Sequence, residues 1–140
     1  MIVYTGGTFD LFHAGHVSFL RRAAELGQVT VSLNTDAFVA RFKGRPPVIN
    51  YENRETVVRS CRYVSHVVPN IGDEDSRPAI LAVHPDIIVI GDDWAPPRDY
   101  LAQMSIPKGW LEERSISLLF LTRTPNISSS EIREALDITM

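Results

Sequence analysis

The chain has 140 residues, with 14 Lys and Arg against 17 Asp and Glu, a net charge of −3 at pH 7, 44% hydrophobic residues and one cysteine. That length and apolar fraction set a single folded domain, residues 1–140, with one core, and exclude a disordered chain. A mildly acidic chain lacks the basic field for nucleic acid or an anionic membrane. One cysteine forms no internal disulfide, no apolar run nears the ~20 residues of a membrane span, and Met1 to Gly7 does not read as a signal peptide, so a cytoplasmic protein is expected.

Ile2 to Thr5 reads as a buried strand ended by Gly6 and Gly7. From His16 to Leu26, Val17, Leu20 and Ala24 fall at helical spacing, with Gly27 as the C′ residue. Val29 to Leu33 is a second strand. Asn34 or Thr35 can cap a short helix through Phe42, and Lys43-Gly44-Arg45-Pro46-Pro47 is a loop. Asn50 can cap a helix from Tyr51 to Arg62 with Val57, Val58 and Cys61 at core spacing, which would put Arg54 and Arg62 on one face. Val64 to Val68 is a short strand. Pro78 starts a helix that ends near His84, and Ile87 to Ile90 is an apolar run suited to a central parallel strand. Residues 95–116 hold short amphipathic pieces between prolines. Leu118 to Leu121 is a last strand, and Ser128 with Glu131 forms a capping box for a helix reaching about Leu136. This β-α alternation predicts a Rossmann-like, three-layer α/β/α domain on a five-stranded parallel sheet. Ligands of such folds bind beyond the carboxyl ends of the strands, which directs attention to the polar residues there.

The first strand runs into Gly7-Thr8-Phe9-Asp10-Leu11-Phe12-His13-Ala14-Gly15-His16. Neither a dinucleotide-binding fingerprint nor a Walker A loop stands there. The turn instead brings a hydroxyl and two histidines to a helix start, where backbone N–H groups favour anions, and Gly15 leaves room for a phosphate. Asp10, His13 and His16 could alternatively supply three metal ligands.

The stretch resembles the GTFDxxHxGH motif of the HxGH nucleotidyltransferases. Four further segments are similar to the glycerol-3-phosphate cytidylyltransferase branch: Lys43-Gly44; Tyr51 to Arg54 with Arg62-Tyr63-Val64; Gly91-Asp92-Asp93-Trp94; and Arg123-Thr124 with Ile127-Ser128-Ser129. They run in the family's order from residue 4 to about 135. The resemblance implies a small homodimeric enzyme that joins CTP to an alcohol phosphate, glycerol 3-phosphate by default, releasing pyrophosphate with Mg²⁺ carried by the CTP phosphates. It implies catalytic roles for His13, His16, Lys43 and Arg123. Nucleotide contacts fall to Gly7, Thr8, Phe9, Gly15, Gly91, Asp92, Trp94, Thr124, Ile127, Ser128 and Ser129, and substrate-phosphate contacts to Asp10, Arg54 and Arg62. No protein metal ligand follows from it, and Asp10 remains open between Mg²⁺ ligand, acceptor contact and loop brace.

Three features depart from the family. Arg62-Tyr63-Val64-Ser65-His66 lacks two acidic residues, Asn126 and Ser129 stand for Gly and Thr, and residues 95–122 form a longer stretch than is usual. The chemistry suits the inventory. A phosphate nucleophile needs no strong base, so catalysis reduces to positioning and charge stabilisation, and no Ser or Cys nucleophile is required. Arg41, Lys43, Arg45, Arg54, Arg59 and Arg62 would form a local positive funnel in an acidic protein. An adenylyltransferase of the same superfamily, a non-catalytic nucleotide-binding module and a metal-dependent hydrolase are the competing readings.

Overall fold

The computed structural model of the chain describes residues 1–91 and 100–121 together with 132, 135 and 136. These form β1 (Ile2–Gly7), α1 (Ala14–Ala24), β2 (Gln28–Leu33), α2 (Asp36–Lys43), α3 (Tyr51–Ser60), β3 (His66–Pro69), α4 (Arg77–Val83), β4 (Ile87–Gly91), α5 (Tyr100–Gln103), α6 (Trp110–Glu113) and β5 (Ser117–Leu121). Residues 132, 135 and 136 are helical, while the capping box at 128–131 lies outside the described residues.

All five strands pair in parallel, in the order β3-β2-β1-β4-β5. β1 pairs β2 in register from Ile2↔Gln28 to Gly7↔Leu33, and β4 pairs β5 from Ile87↔Ser117 to Gly91↔Leu121. Alternate residues of each strand feed two cores. Val3, Val29, Val31 and Val67 pack with Leu20 and Ala23 of α1 and Val58 of α3. Tyr4 and Ile88 pack with Ala79 and Ile80 of α4 and with Ile106 and Leu111. A sheet buried on both faces needs apolar residues in near-continuous runs, which is why these strands were readable. The three-layer Rossmann-like architecture is the one the sequence predicts.

Several details differ from the sequence reading. α1 begins at Ala14, two residues early, because the His13 side chain caps it. Its buried stripe is Leu20 and Ala23, whereas Val17 is exposed. Glu25 is the C-cap, so Gly27 is not the C′ residue. It is needed for another reason: a Cβ there would overlap the Met1 carbonyl, whose oxygen accepts from Gln28 N–H at 2.9 Å. α3 stops at Ser60 as Cys61 turns to an extended conformation, which takes Arg62 off the helix, and Val57 faces solvent while Val58 is fully buried. Thr35 and Asn50 cap α2 and α3 through their side chains, as the pattern predicts.

Candidate active site

The strand order reverses between β1 and β4, since β2 and β3 lie to one side of β1 and β4 and β5 to the other. A cavity of about 380 Å³ opens at this point. Its floor is the Gly6-to-Asp10 turn, with Asn34 and Asn70 following β2 and β3, and Gly91 ends β4. Phe38, Phe42 and Lys43 of α2 form one wall, and Gln103 and Met104 contribute to another.

The turn is held open by its aromatic. Phe9 takes a left-handed conformation (φ 52°) and is buried, its ring 5.2 Å from that of His16. A Cβ on Gly7 would come within 2.9 Å of the Phe9 ring, so this glycine lets the ring cross the strand end.

His13 and His16 form a reciprocal cap. His13 Nδ1 accepts from Gly15 N–H at 3.0 Å, and His16 Nδ1 accepts from His13 N–H at 3.1 Å. The rings stack with centroids 3.9 Å apart. A neutral imidazole carries one ring proton, so acceptance at Nδ1 places it on Nε2 in both. Burial pushes the His16 pKa down to about 4, aided by repulsion from His13 and opposed by Asp10. At pH 7 His16 is thus a neutral Nε2–H donor. It lines the cavity, and His13 backs it.

Asp10 is 4% exposed, and its carboxylate accepts backbone N–H bonds from Val48 (2.8 Å), Ile49 (3.0 Å) and Leu11 (3.1 Å). Of the three roles left open for Asp10, this geometry is that of a loop brace. Among the described residues no group of three His, Cys, Asp or Glu side chains is placed to hold a metal ion, so Asp10, His13 and His16 do not form the three-ligand set considered above.

Arg54 is not on a surface face with Arg62. It is 1% exposed and donates from Nε to Ile49 O (2.8 Å), from Nη1 to Thr8 O (2.8 Å) and from Nη2 to Asp36 Oδ1 (2.7 Å). Its guanidinium clamps α3 to the floor of the site. Arg62 lies in the turn after α3, exposed, over the Tyr63 ring at 5.9 Å.

Lys43 is the last residue of α2 rather than a loop residue, exposed at the cavity rim, with Gly44 as a left-handed C-cap (φ 76°). The basic funnel is narrower than charge counting suggests. Arg41 pairs with Asp73 and Glu74, Arg59 with Glu55, and Arg54 with Asp36. Gly15 is in the first turn of α1, and Thr8 lines the floor. Asp92, Trp94, Arg123, Thr124, Ile127, Ser128 and Ser129 lie outside the described residues.

Sequence reasoning missed Asn34 and Asn70 as parts of the site. Asn34 Nδ2 donates to Thr8 Oγ1 at 3.1 Å, and Asn70 Nδ2 donates to Asn34 Oδ1 at 3.0 Å. The available signal was position: each is the first residue past a strand, where ligands of these folds bind.

A cavity at the switch point of a doubly wound parallel sheet, floored by a glycine turn and a helix start, is the ligand position of a Rossmann-like α/β protein. Within that class the chain belongs to the cytidylyltransferase-like family, which it matches over residues 4–135, and it is a nucleotidyltransferase. It is 34% identical over 133 residues to the glycerol-3-phosphate cytidylyltransferase of Bacillus subtilis (strain 168), with 94% of each chain covered. Over 92 residues it is 44% identical to the FAD synthase of Pyrococcus horikoshii, spanning 65% of this chain and 62% of the other. The lipopolysaccharide core biosynthesis protein from Thermoplasma volcanium GSS1 shares the fold, with a TM-score of 0.72 at 21% identity, covering 89% of this chain and 98% of that one. No helix among the described residues is long and apolar enough to cross a membrane.

Proposed function

We propose that the protein transfers the CMP unit of CTP to a small alcohol phosphate, glycerol 3-phosphate first, and releases pyrophosphate. The observation that carries this reading is the end-to-end likeness to a glycerol-3-phosphate cytidylyltransferase, 94% of each chain. The acceptor phosphate oxygen attacks the α-phosphorus of CTP as the bond to pyrophosphate breaks, so the protein supplies alignment and charge stabilisation. Neutral His16 suits this task, because its Nε2–H donates to phosphoryl oxygen without having to lose or gain a proton. His13 fixes that tautomer through its backbone N–H, which donates to His16 Nδ1, the α1 N-terminus adds its dipole, and Lys43 approaches from the rim as a point charge. Arg123, Thr124, Ser128 and Ser129 complete the phosphate contacts in this reading, and Gly91, Asp92 and Trp94 the base pocket.

Magnesium fits as a companion of the triphosphate. Mg²⁺ keeps several waters and is held largely through substrate phosphates, so no resident cage of side chains is needed; bound there, it would neutralise charge on the leaving pyrophosphate. A homodimer is proposed on the family resemblance alone.

The likeness to an FAD synthase supports a second reading, transfer of an adenylyl group from ATP. Pyrophosphate release, measured with CTP and with ATP against a panel of polyol, sugar and amino-alcohol phosphates, separates the two. CTP with glycerol 3-phosphate is expected to give the highest kcat/KM. Preference for ATP across the panel refutes the cytidylyl reading, and CTP binding without turnover on any acceptor favours a non-catalytic module.

A further inference from the structure

The two asparagines at the ends of β2 and β3 do more than fill the floor of the cavity. Their hydrogen bonds have only one consistent direction, and it can be read from an anchor that cannot reverse. The Asp73 carbonyl oxygen is acceptor-only, and it takes an N–H from Asn70 Nδ2 at 3.0 Å. That fixes the amide group of Asn70. The second N–H of the same nitrogen goes to Asn34 Oδ1 at 3.0 Å, which fixes Asn34 in turn, leaving its Nδ2 to donate to Thr8 Oγ1 at 3.1 Å. A hydroxyl has one hydrogen and two lone pairs. With one lone pair of Thr8 occupied by a donor, its hydrogen is directed elsewhere, and Thr8 lines the cavity.

We infer that Asn70 and Asn34 are positioning residues that set the polarity of Thr8, keeping its hydroxyl a donor toward a substrate phosphoryl oxygen. This rests on the proposed function for the identity of the anion. The relay carries a cost that a merely structural pair would avoid. Asn70 is 7% exposed, and its own Oδ1 is buried with no hydrogen-bond partner among the described residues. A buried acceptor left unsatisfied is unfavourable, and an apolar side chain at the end of β3 would not incur it. Asn70 therefore serves through its NH₂ group. The backbone supports the arrangement at each step, since Asn34 N–H donates to Gly7 O and Asn70 N–H to Leu33 O, both at 2.9 Å.

Asn70→Asp is isosteric and reverses the relay. An ionised carboxylate only accepts, so Asn34 must turn its NH₂ toward it and present Oδ1 to Thr8, whose hydrogen is then withdrawn from the substrate. The test is a double-mutant cycle on kcat/KM with CTP and glycerol 3-phosphate. Asn70→Asp and Thr8→Val are each expected to lose about ten- to hundredfold, the worth of a hydrogen bond to a charged group. Asn70→Asp should add less than about twofold in a Thr8→Val background, yet keep its full effect in Thr8→Ser. Multiplicative losses in Thr8→Val, or an unchanged Asn70→Asp, overturn the relay. A second readout needs no substrate. In ¹⁵N NMR of the wild type, the side-chain NH₂ protons of both asparagines should be protected from exchange, and Thr8→Val should release those of Asn34 while leaving Asn70 protected. Free exchange of the Asn34 amide in the wild type refutes the relay whatever the nucleotide. Protected amides in a protein that turns over neither CTP nor ATP refute the proposed function instead.

Discussion

Arg54→Met is the sharpest probe of how the fold builds the site. Methionine keeps much of the apolar stem and removes only the guanidinium. Three acceptors then lose their donor: Thr8 O, Ile49 O and Asp36 Oδ1, now bonded at 2.7 to 2.8 Å. The Asp36 side chain is 43% exposed and regains water, so its share is discounted. The two carbonyls lie against a fully buried side chain and cost about 1–3 kcal/mol each when left unpaired. The sum is ~2–6 kcal/mol, a range that includes the cost of breaking a buried ion pair and is a large fraction of a small domain's stability. Equilibrium urea unfolding at pH 7 measures it: the midpoint should fall at unchanged slope. Arg54→Lys should recover only part, since one ammonium cannot reach acceptors arranged around a planar fork. A loss below about 1 kcal/mol for Arg54→Met would refute the clamp.

Three further outcomes follow from the same geometry. His16 is held near pKa 4 against 6.5 for an unperturbed histidine. The unfolded chain therefore takes up a proton below pH 6.5 that the folded one refuses until about pH 4, and folding loses roughly 3 kcal/mol through that window. Urea unfolding of wild type and His16→Gln at pH 7.5 and 4.5 checks this, and equal pH slopes in the two contradict it. Gly7→Ala should cost about 1–3 kcal/mol by forcing the Phe9 ring aside, read as a lowered Tm, and an unchanged Tm would show that the ring yields freely. Asp10→Asn keeps one accepting oxygen and turns the other into a donor that faces a backbone N–H, which disrupts the brace on Val48 and Ile49. Amide exchange at Val48 and Ile49 should accelerate at least tenfold, the equivalent of about 1.4 kcal/mol of local opening, and unaltered protection there would rule out the brace.

The layers were legible because burial on both faces leaves continuous apolar runs such as Ile87 to Ile90, and because side-chain caps are local. Thr35 and Asn50 bond to amides three residues on. The paired histidines stood out through their motif, but the cap that closes within residues 13 to 16 was not read, although it is local: it starts α1 two residues before the expected His16. What else escaped the sequence depends on distant partners. Arg54 reaches Thr8 across 46 residues, and Asp10 reaches Ile49 across 39, so neither burial is written in the local pattern. The charge funnel was overcounted because the partners of Arg41 lie 32 and 33 residues away. Arg62 left its expected helix face because the helix ended two residues sooner than its apolar spacing implied, at Ser60.

Acceptor-dependent pyrophosphate release by wild type and His16→Ala tests the central claim most directly. With CTP and glycerol 3-phosphate, wild type should turn over only when both are present. His16→Ala, confirmed as folded by circular dichroism, should lose kcat by about a hundredfold or more, the usual weight of one transition-state donor. Release without acceptor, or an undiminished kcat in the folded variant, would contradict an account in which a neutral histidine at the switch point holds the phosphoryl group in line.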